Sequence, residues 1–302
     1  MNLKKLTKQL LIVVSVVLVM TSCSNKNREI MIAGSGWNKI VRYDLDDQRI
    51  VWSHQLERGQ ECNEVSLTPN GDVLYSYRRG AKIVGKDHRT LWNYDAPDGT
   101  ELQSASITID GNILLGQCGS PAEIFEYDRA GHLLKKITFD TGVKNPHGQL
   151  RRVRKTERGT YLVPIFGRGE VWELNDSGDV LKKVKVGGVP FSAIEMAEDH
   201  WMVSCGDGHY LLEINPLTNE VIRKIERDDI HNIPLRFVAE SVRLSSGNTL
   251  ICNWGGHERG KKRVSSLMEI TPEKEVVWSI ELSDSLGMVS SVFPVWDEDC
   301  MR

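Results

Sequence analysis

The sequence predicts an all-β fold, a six-bladed β-propeller of four-stranded antiparallel blades, on three observations. First, a strand-turn-strand unit returns at intervals of roughly 40 to 48 residues, the period at which small sheets stack radially. Five copies of its first turn are plain: Thr68-Pro69-Asn70-Gly71, Ile109-Asp110-Gly111, Thr156-Glu157-Arg158-Gly159, Ala197-Glu198-Asp199 and Ser245-Ser246-Gly247. Second, another polar turn recurs along the chain: Asp44 to Asp47, Asp128 to Gly131, Asn175 to Gly178, Asn215 to Asn219 and Thr271 to Lys274. Asx- and Gly-rich clusters between apolar runs mark hairpins, so each unit holds four strands. Third, the chain is split at its ends. It begins with three strands of a unit and finishes with a lone first strand.

In chain order, residues 1–22 read as a lipoprotein signal peptide. Lys4, Lys5 and Lys8 precede an apolar run from Leu10 to Met20, about half the roughly 20 residues of a membrane-spanning helix. Met20-Thr21-Ser22-Cys23 resembles a lipobox, so Cys23 is the expected lipidation site and the anchor to the membrane. Residues 23–28 form the lipidated cysteine and a short polar tether. Ser24 stands where an aspartate would resemble an inner-membrane retention signal. The expected location is therefore the bacterial outer membrane, facing the periplasm.

Residues 29–302 are the expected propeller. Its opening strands are Ile30 to Ala33, Lys39 to Asp44 and Ile50 to His54. The strand from Ser290 to Val295 is expected to close the ring beside them. The third unit is read as Gln103 to Ile109, Asn112 to Gly116, Glu123 to Asp128 and Leu133 to Thr138. No helical periodicity extends over three turns.

Without Lys4, Lys5 and Lys8, the 38 basic residues fall short of the 41 acidic ones, and the mature net charge is about −6. That argues against a nucleic-acid partner. The basic stretch Arg151, Arg152, Arg154, Lys155, Arg158 is expected to be an exposed strand and turn. Cys62, Cys118, Cys205, Cys252 and Cys300 show no Cys-x-x-Cys spacing, and buried thiols packed among apolar groups are expected.

In a propeller the starts of the innermost strands share one face with the loops that join second to third strands. Alignment on the first turn makes Glu64, Ser104, Arg152, Ser192, Glu240 and Ser291 equivalent. These polar residues above apolar strands are candidates for a ligand site at a channel mouth. The loop Asn253 to Arg259 adds Asn253, Trp254 and His257. Asn145-Pro146-His147-Gly148 brings His147 to the same face, and His147 with Arg152 is the candidate catalytic pair. A metal-dependent, lactonase-like alternative would use Glu64, Glu240 and Asn63 or Asn253 as oxygen ligands of a divalent cation. No Ser-His-Asp, Walker or zinc motif is present.

Lys39-Ile40-Val41-Arg42-Tyr43-Asp44 through Ile50-Val51-Trp52-Ser53, and Met268-Glu269-Ile270 through Val276-Val277-Trp278-Ser279, resemble quinoprotein-type propeller repeats, with Leu91-Trp92-Asn93 a partial copy. The whole mature chain is similar to the PQQ-like and arylsulfotransferase-like propeller lipoproteins of Bacteroidetes. The resemblance implies a histidine nucleophile at His147 and a sulfuryl-stabilising arginine at Arg152. It does not extend to PQQ, whose calcium and quinone ligands lie on added loops of eight-bladed enzymes. No cofactor is expected. The expected role is binding of a small molecule, glycan or protein partner at the channel mouth, with a propeller enzyme as the alternative.

Overall fold

The computed structural model describes residues 27–258, 265–281 and 286–297. It contains six four-stranded antiparallel sheets arranged as blades of a propeller. The closing strand Ser291–Pro294 pairs with Glu29–Ala33, Met31 facing Phe293 and Ile32 facing Val292. Lys39–Asp44 and Arg49–Gln55 complete blade 1. The ring is thus closed by joining the two ends of the fold, as the split repeat requires. Cys23 and Cys300 lie outside the described residues.

The innermost strands of blades 2 to 6 are Glu64–Leu67, Glu101–Ile107, Arg154–Lys155, Ser192–Ala197 and Phe237–Arg243. In blade 3 the observed strands Glu101–Ile107, Ile113–Cys118, Ala122–Tyr127 and Leu133–Phe139 lie within two residues of the expected ones. Helical structure in the described residues is confined to three single turns, at Pro146–Gly148, Phe166–Arg168 and Gly256–Glu258.

Alternation along each strand explains the ring. Successive side chains point to opposite faces of a sheet, and both faces of every blade meet a neighbour. Ile30 and Ile32 pack with blade 6 residues such as Leu250 and Leu267. Met31 and Ala33, one position over, pack with blade 2 residues such as Val73 and Tyr75. The other clusters repeat this between blades 2 and 3, 3 and 4, 4 and 5, and 5 and 6. Second strands such as Ile113–Cys118 are therefore buried at every position, whereas outer strands such as Val276–Glu281 alternate with solvent.

A buried glutamate on the third strand ties down the hairpins of blades 3 to 6. Glu126, Glu173, Glu213 and Glu269 each take a hydrogen bond from the residue just after the first turn: Asn112 at 3.0 Å, Thr160 at 2.8 Å, His200 at 2.8 Å and Asn248 at 2.5 Å. Blade 4 departs from the pattern. Its inner strand is regular only at Arg154–Lys155, because Pro164 on the second strand has no N–H to offer. Arg152 pairs instead with Ser192 of blade 5, its N–H reaching the Phe191 carbonyl at 3.3 Å.

Candidate functional site

The upper face, where inner strands begin, carries most of the sequence candidates. The structure divides them into two groups. Glu64, Ser104, Arg152, Glu240 and Ser291 meet on the axis and are almost wholly inaccessible. Arg154 spans two carboxylates, Glu64 at 2.6 Å and Glu240 at 3.1 Å, while Arg152 lies 2.6 Å from Glu240. Ser104 Oγ and the Ala105 N–H donate to Glu64, both at 2.8 Å. Ser291 Oγ and the Val292 N–H donate to Glu240 at 3.1 and 2.9 Å. Arg152 also donates to the carbonyls of Asn63 and Ser290. Its Nε has no acceptor, and the Phe191 ring covers the guanidinium at 5.3 Å.

This is a plug rather than an open channel mouth. Five blades contribute to it, and the loss of hydration that burial imposes on each charge is offset only by partners inside the protein. Burial works against the Arg154 charge, but Glu64 and Glu240 outweigh it and raise its pKa. Burial, aided by Glu64 and opposed by Arg152 and Arg154, pushes the Glu240 carboxyl up. The lactonase-like ligand set does not fit this arrangement, since a guanidinium sits between Glu64 and Glu240. Asn63 gives its amide to the Leu102 carbonyl, and Asn253 is held by Arg236, Pro234 and Ser265 backbone groups. The basic stretch is likewise buried at Arg151 and Arg152 rather than exposed. Arg151 stacks 4.0 Å above Phe166.

His147 belongs to the second group. Its loop enters blade 4 through a turn capped by Asn145, whose side chain accepts from the His147 N–H at 3.1 Å. The imidazole, 63% exposed, places Nδ1 2.9 Å from Glu101 Oε2, and Arg78, 74% exposed, reaches Glu101 Oε1 at 2.7 Å. Gln103 donates to the same carboxylate at 3.0 Å. Glu101 itself is buried. Burial would raise its pKa, but the His147 and Arg78 contacts win and hold it below the ordinary carboxylate value. Around this trio opens a cleft of about 530 Å³, bounded also by Ser35, Arg58, Gln60, Glu61, Asn63 and Tyr77. Its size falls within the roughly 300–1,000 Å³ of small-molecule sites.

Trp254 and His257 lie elsewhere on this face, in an edge-to-face aromatic row with Phe237 and Phe191. Trp254 Nε1 donates to the Ser35 carbonyl at 3.0 Å, so the row adjoins the cleft. His257 pairs with Asp207 at 2.9 Å. On the lower face, two hollows of about 560 and 350 Å³ flank Arg154 and Ile109. Most of their cations are paired, Arg158 with Glu173 and Glu195, Arg243 with Glu213, Lys155 with Glu126 and Arg42 with Glu29, while Arg129 donates only to the Asp110 carbonyl at 3.1 Å.

Sequence reading missed Glu101, Arg78 and Arg58. Arg58 and Glu101 follow the connection from one blade's outer strand to the next inner strand, which reaches the upper face as the His147 loop does, whereas Arg78 sits on the turn between the second and third strands of blade 2.

Fold and cleft together define a six-bladed propeller with a closed axis and an off-axis, cation-bearing cleft. The chain belongs to the Mal s 1 allergenic protein-like family, whose model matches residues 23–275. It is similar to a Bacteroides caccae protein of unknown function, at 41% identity over 89% of this chain and 98% of that one, with a TM-score of 0.85. The fold also resembles the WD40 propeller domain of Doa1, at 14% identity over 87% and 82% of the two chains, TM-score 0.60. A catalytically inactive histidine-to-alanine variant of Staphylococcus aureus virginiamycin B lyase, solved with quinupristin, is similar at 13% identity over 85% of each chain, TM-score 0.57. No match is found among curated proteins.

Proposed function

We propose that this protein is a lipid-anchored, periplasm-facing propeller that binds a small anionic ligand in the cleft around His147. The observation that carries the reading is a contrast in commitment. His147 Nε2 and the Arg58 guanidinium have no internal partner, and Arg78 uses only one nitrogen on Glu101, so two guanidiniums and an imidazole nitrogen border open space. Every arginine on the axis already faces a carboxylate.

The anchor supports a definite orientation. The Leu45 N–H donates to the Arg28 carbonyl at 2.9 Å and Arg28 pairs with Asp46 at 2.8 Å, fixing the start of the fold to a lower-face turn. Residues 24–27 span at most about 17 Å between Cys23 and Arg28. A lipid on Cys23 would hold the lower face toward the bilayer and leave the cleft facing away. Mass spectrometry of the membrane-extracted chain is expected to find diacylglyceryl on Cys23; an unmodified thiol there would end the lipoprotein reading. Titration calorimetry with small carboxylates should show one site that Arg58→Ala weakens at least tenfold. No heat with any anion would end the binding reading.

A second reading is favoured by the 2.9 Å contact between His147 and Glu101. A buried carboxylate behind an exposed imidazole orients it, the arrangement of an acid-base group. The lyase of similar fold, inactive in its histidine variant, gives this reading a precedent in fold only. In it Arg152 would play no direct part, because its guanidinium is enclosed on the axis.

A further inference from the structure

The geometry points to a polyhydroxylated acid, a carboxylate bearing neighbouring hydroxyl groups, as the class of ligand the His147 cleft takes. The inference rests on the cleft being a ligand site and concerns what its remaining atoms demand. The uncommitted donors, Arg58 and the free nitrogens of Arg78, suit an anion. Beside them is a set of uncommitted acceptors. Gln60 Oε1 is buried with no hydrogen-bond partner, while its Nε2 is held by Glu57 at 3.1 Å. Asn63 and Gln103 likewise spend their amide nitrogens on the Leu102 carbonyl and on Glu101, leaving each amide oxygen unused. Glu61 adds an unpaired carboxylate to the wall.

A buried acceptor left without a donor costs free energy. Sulfate or a fully ionised phosphate has only acceptor oxygens, so either one would satisfy the cations and meet Gln60 Oε1 with a lone pair. A plain carboxylic acid has the same defect. A neutral sugar supplies hydroxyl donors but leaves Arg58 without a counter-charge. Only a molecule with both halves meets both sets. Glu61 also sets a limit on charge, since a second anionic group directed at that wall would be repelled.

The test is titration calorimetry on the full chain in detergent with galacturonate, glucose, succinate and sulfate. Galacturonate is expected to bind at least tenfold more tightly than each of the other three. Arg58→Ala should weaken galacturonate tenfold or more and leave the ligand-free melting temperature unchanged, because Arg58 is exposed and unpaired. Gln60→Leu should narrow the preference for galacturonate over succinate to less than threefold. Succinate or sulfate binding as tightly as galacturonate would overturn the hydroxyl requirement while leaving an anion site in place. Glucose binding as tightly would overturn the charge requirement. No binding by any of the four would remove the cleft as a ligand site altogether.

Discussion

Glu240 and Glu101 are both buried carboxylates held by arginine, on the same face of the same propeller, yet they sit in opposite kinds of site. The partners of Glu240 are Arg152, Arg154, Ser291 and the Val292 N–H, all enclosed with it. The partners of Glu101 are His147 and Arg78, whose side chains are mostly exposed and have nitrogens left over. Burial of a charge therefore does not separate structure from function here. What separates them is where the far side of each partner points. On the axis the polar groups consume one another and lock five blades together. In the cleft one carboxylate holds an imidazole and a guanidinium in place and leaves both available.

The sharpest way to break this comparison is to remove one member of the axis. Arg152→Ala takes one of the two guanidiniums from Glu240, opens a cavity beside it and removes the donor to the Asn63 and Ser290 carbonyls. Breaking a buried ion pair from one side costs about 3–5 kcal/mol, and urea denaturation should show a loss of that size. Arg58→Ala, by contrast, should change stability by less than about 0.5 kcal/mol. Equal losses from the two variants would erase the distinction drawn between plug and cleft.

The next effect separates binding from chemistry. Glu101→Gln keeps the oxygen that faces His147 and Gln103 but turns an amide NH2 toward Arg78 and removes the carboxylate charge. Ligand affinity measured by calorimetry should stay within about threefold, since Arg58 keeps its place and Arg78 its charge. If His147 works as an acid-base group, turnover of any substrate found should fall by about 100-fold or more. A large affinity loss with turnover intact would reverse the roles assigned here.

The architecture was legible in the sequence because hairpin turns and strand alternation are local signals. Asn70-Gly71, Asp110-Gly111 and the split unit at the two ends located every blade. The site was only half legible. Alignment on the first turn found Glu64, Ser104, Arg152, Ser192, Glu240 and Ser291 as equivalents; Ser192 meets Arg152 through a backbone bridge, and the other five are neighbours on the axis. Their distance from water was not readable, because whether six polar groups face a channel or each other depends on Arg154, which lies outside the aligned column. Glu101 was invisible for a related reason. It precedes the aligned position in its strand, and its partners arrive from the blade 2 turn and the blade 4 entry loop.

pH gives a further handle on the cleft. Because the folded pKa of Glu101 lies below its unfolded value of about 4.3, its contribution to stability is present above that value. It is lost as pH falls through the folded pKa. The wild-type melting temperature should therefore lose ground to that of Glu101→Gln as pH drops below about 4.3. A separation that stayed constant down to pH 3 would mean that the exposed His147 and Arg78 contacts are too well solvated to stabilise the carboxylate.

The smallest expected effect concerns the thiols. Cys62, Cys118, Cys205 and Cys252 are free and buried, and each lies in an apolar cluster between blades. Burial pushes the Cys118 thiol up to about 11 and the Cys205 thiol up to about 12. At pH 8 almost none of either is thiolate, the reactive form, and the packed neighbours exclude reagent as well. Iodoacetamide labelling mapped by mass spectrometry should leave both unmodified in the native protein and modify both in urea. Cys118 is the more informative of the two. It lies at the end of the blade 3 second strand, with its Sγ 3.6 Å from the Leu150 carbonyl, on the segment that carries His147 into blade 4. Labelling at Cys118 but not Cys205 would show that this segment opens locally, and the cleft would then have a moving wall rather than the fixed one its hydrogen bonds describe.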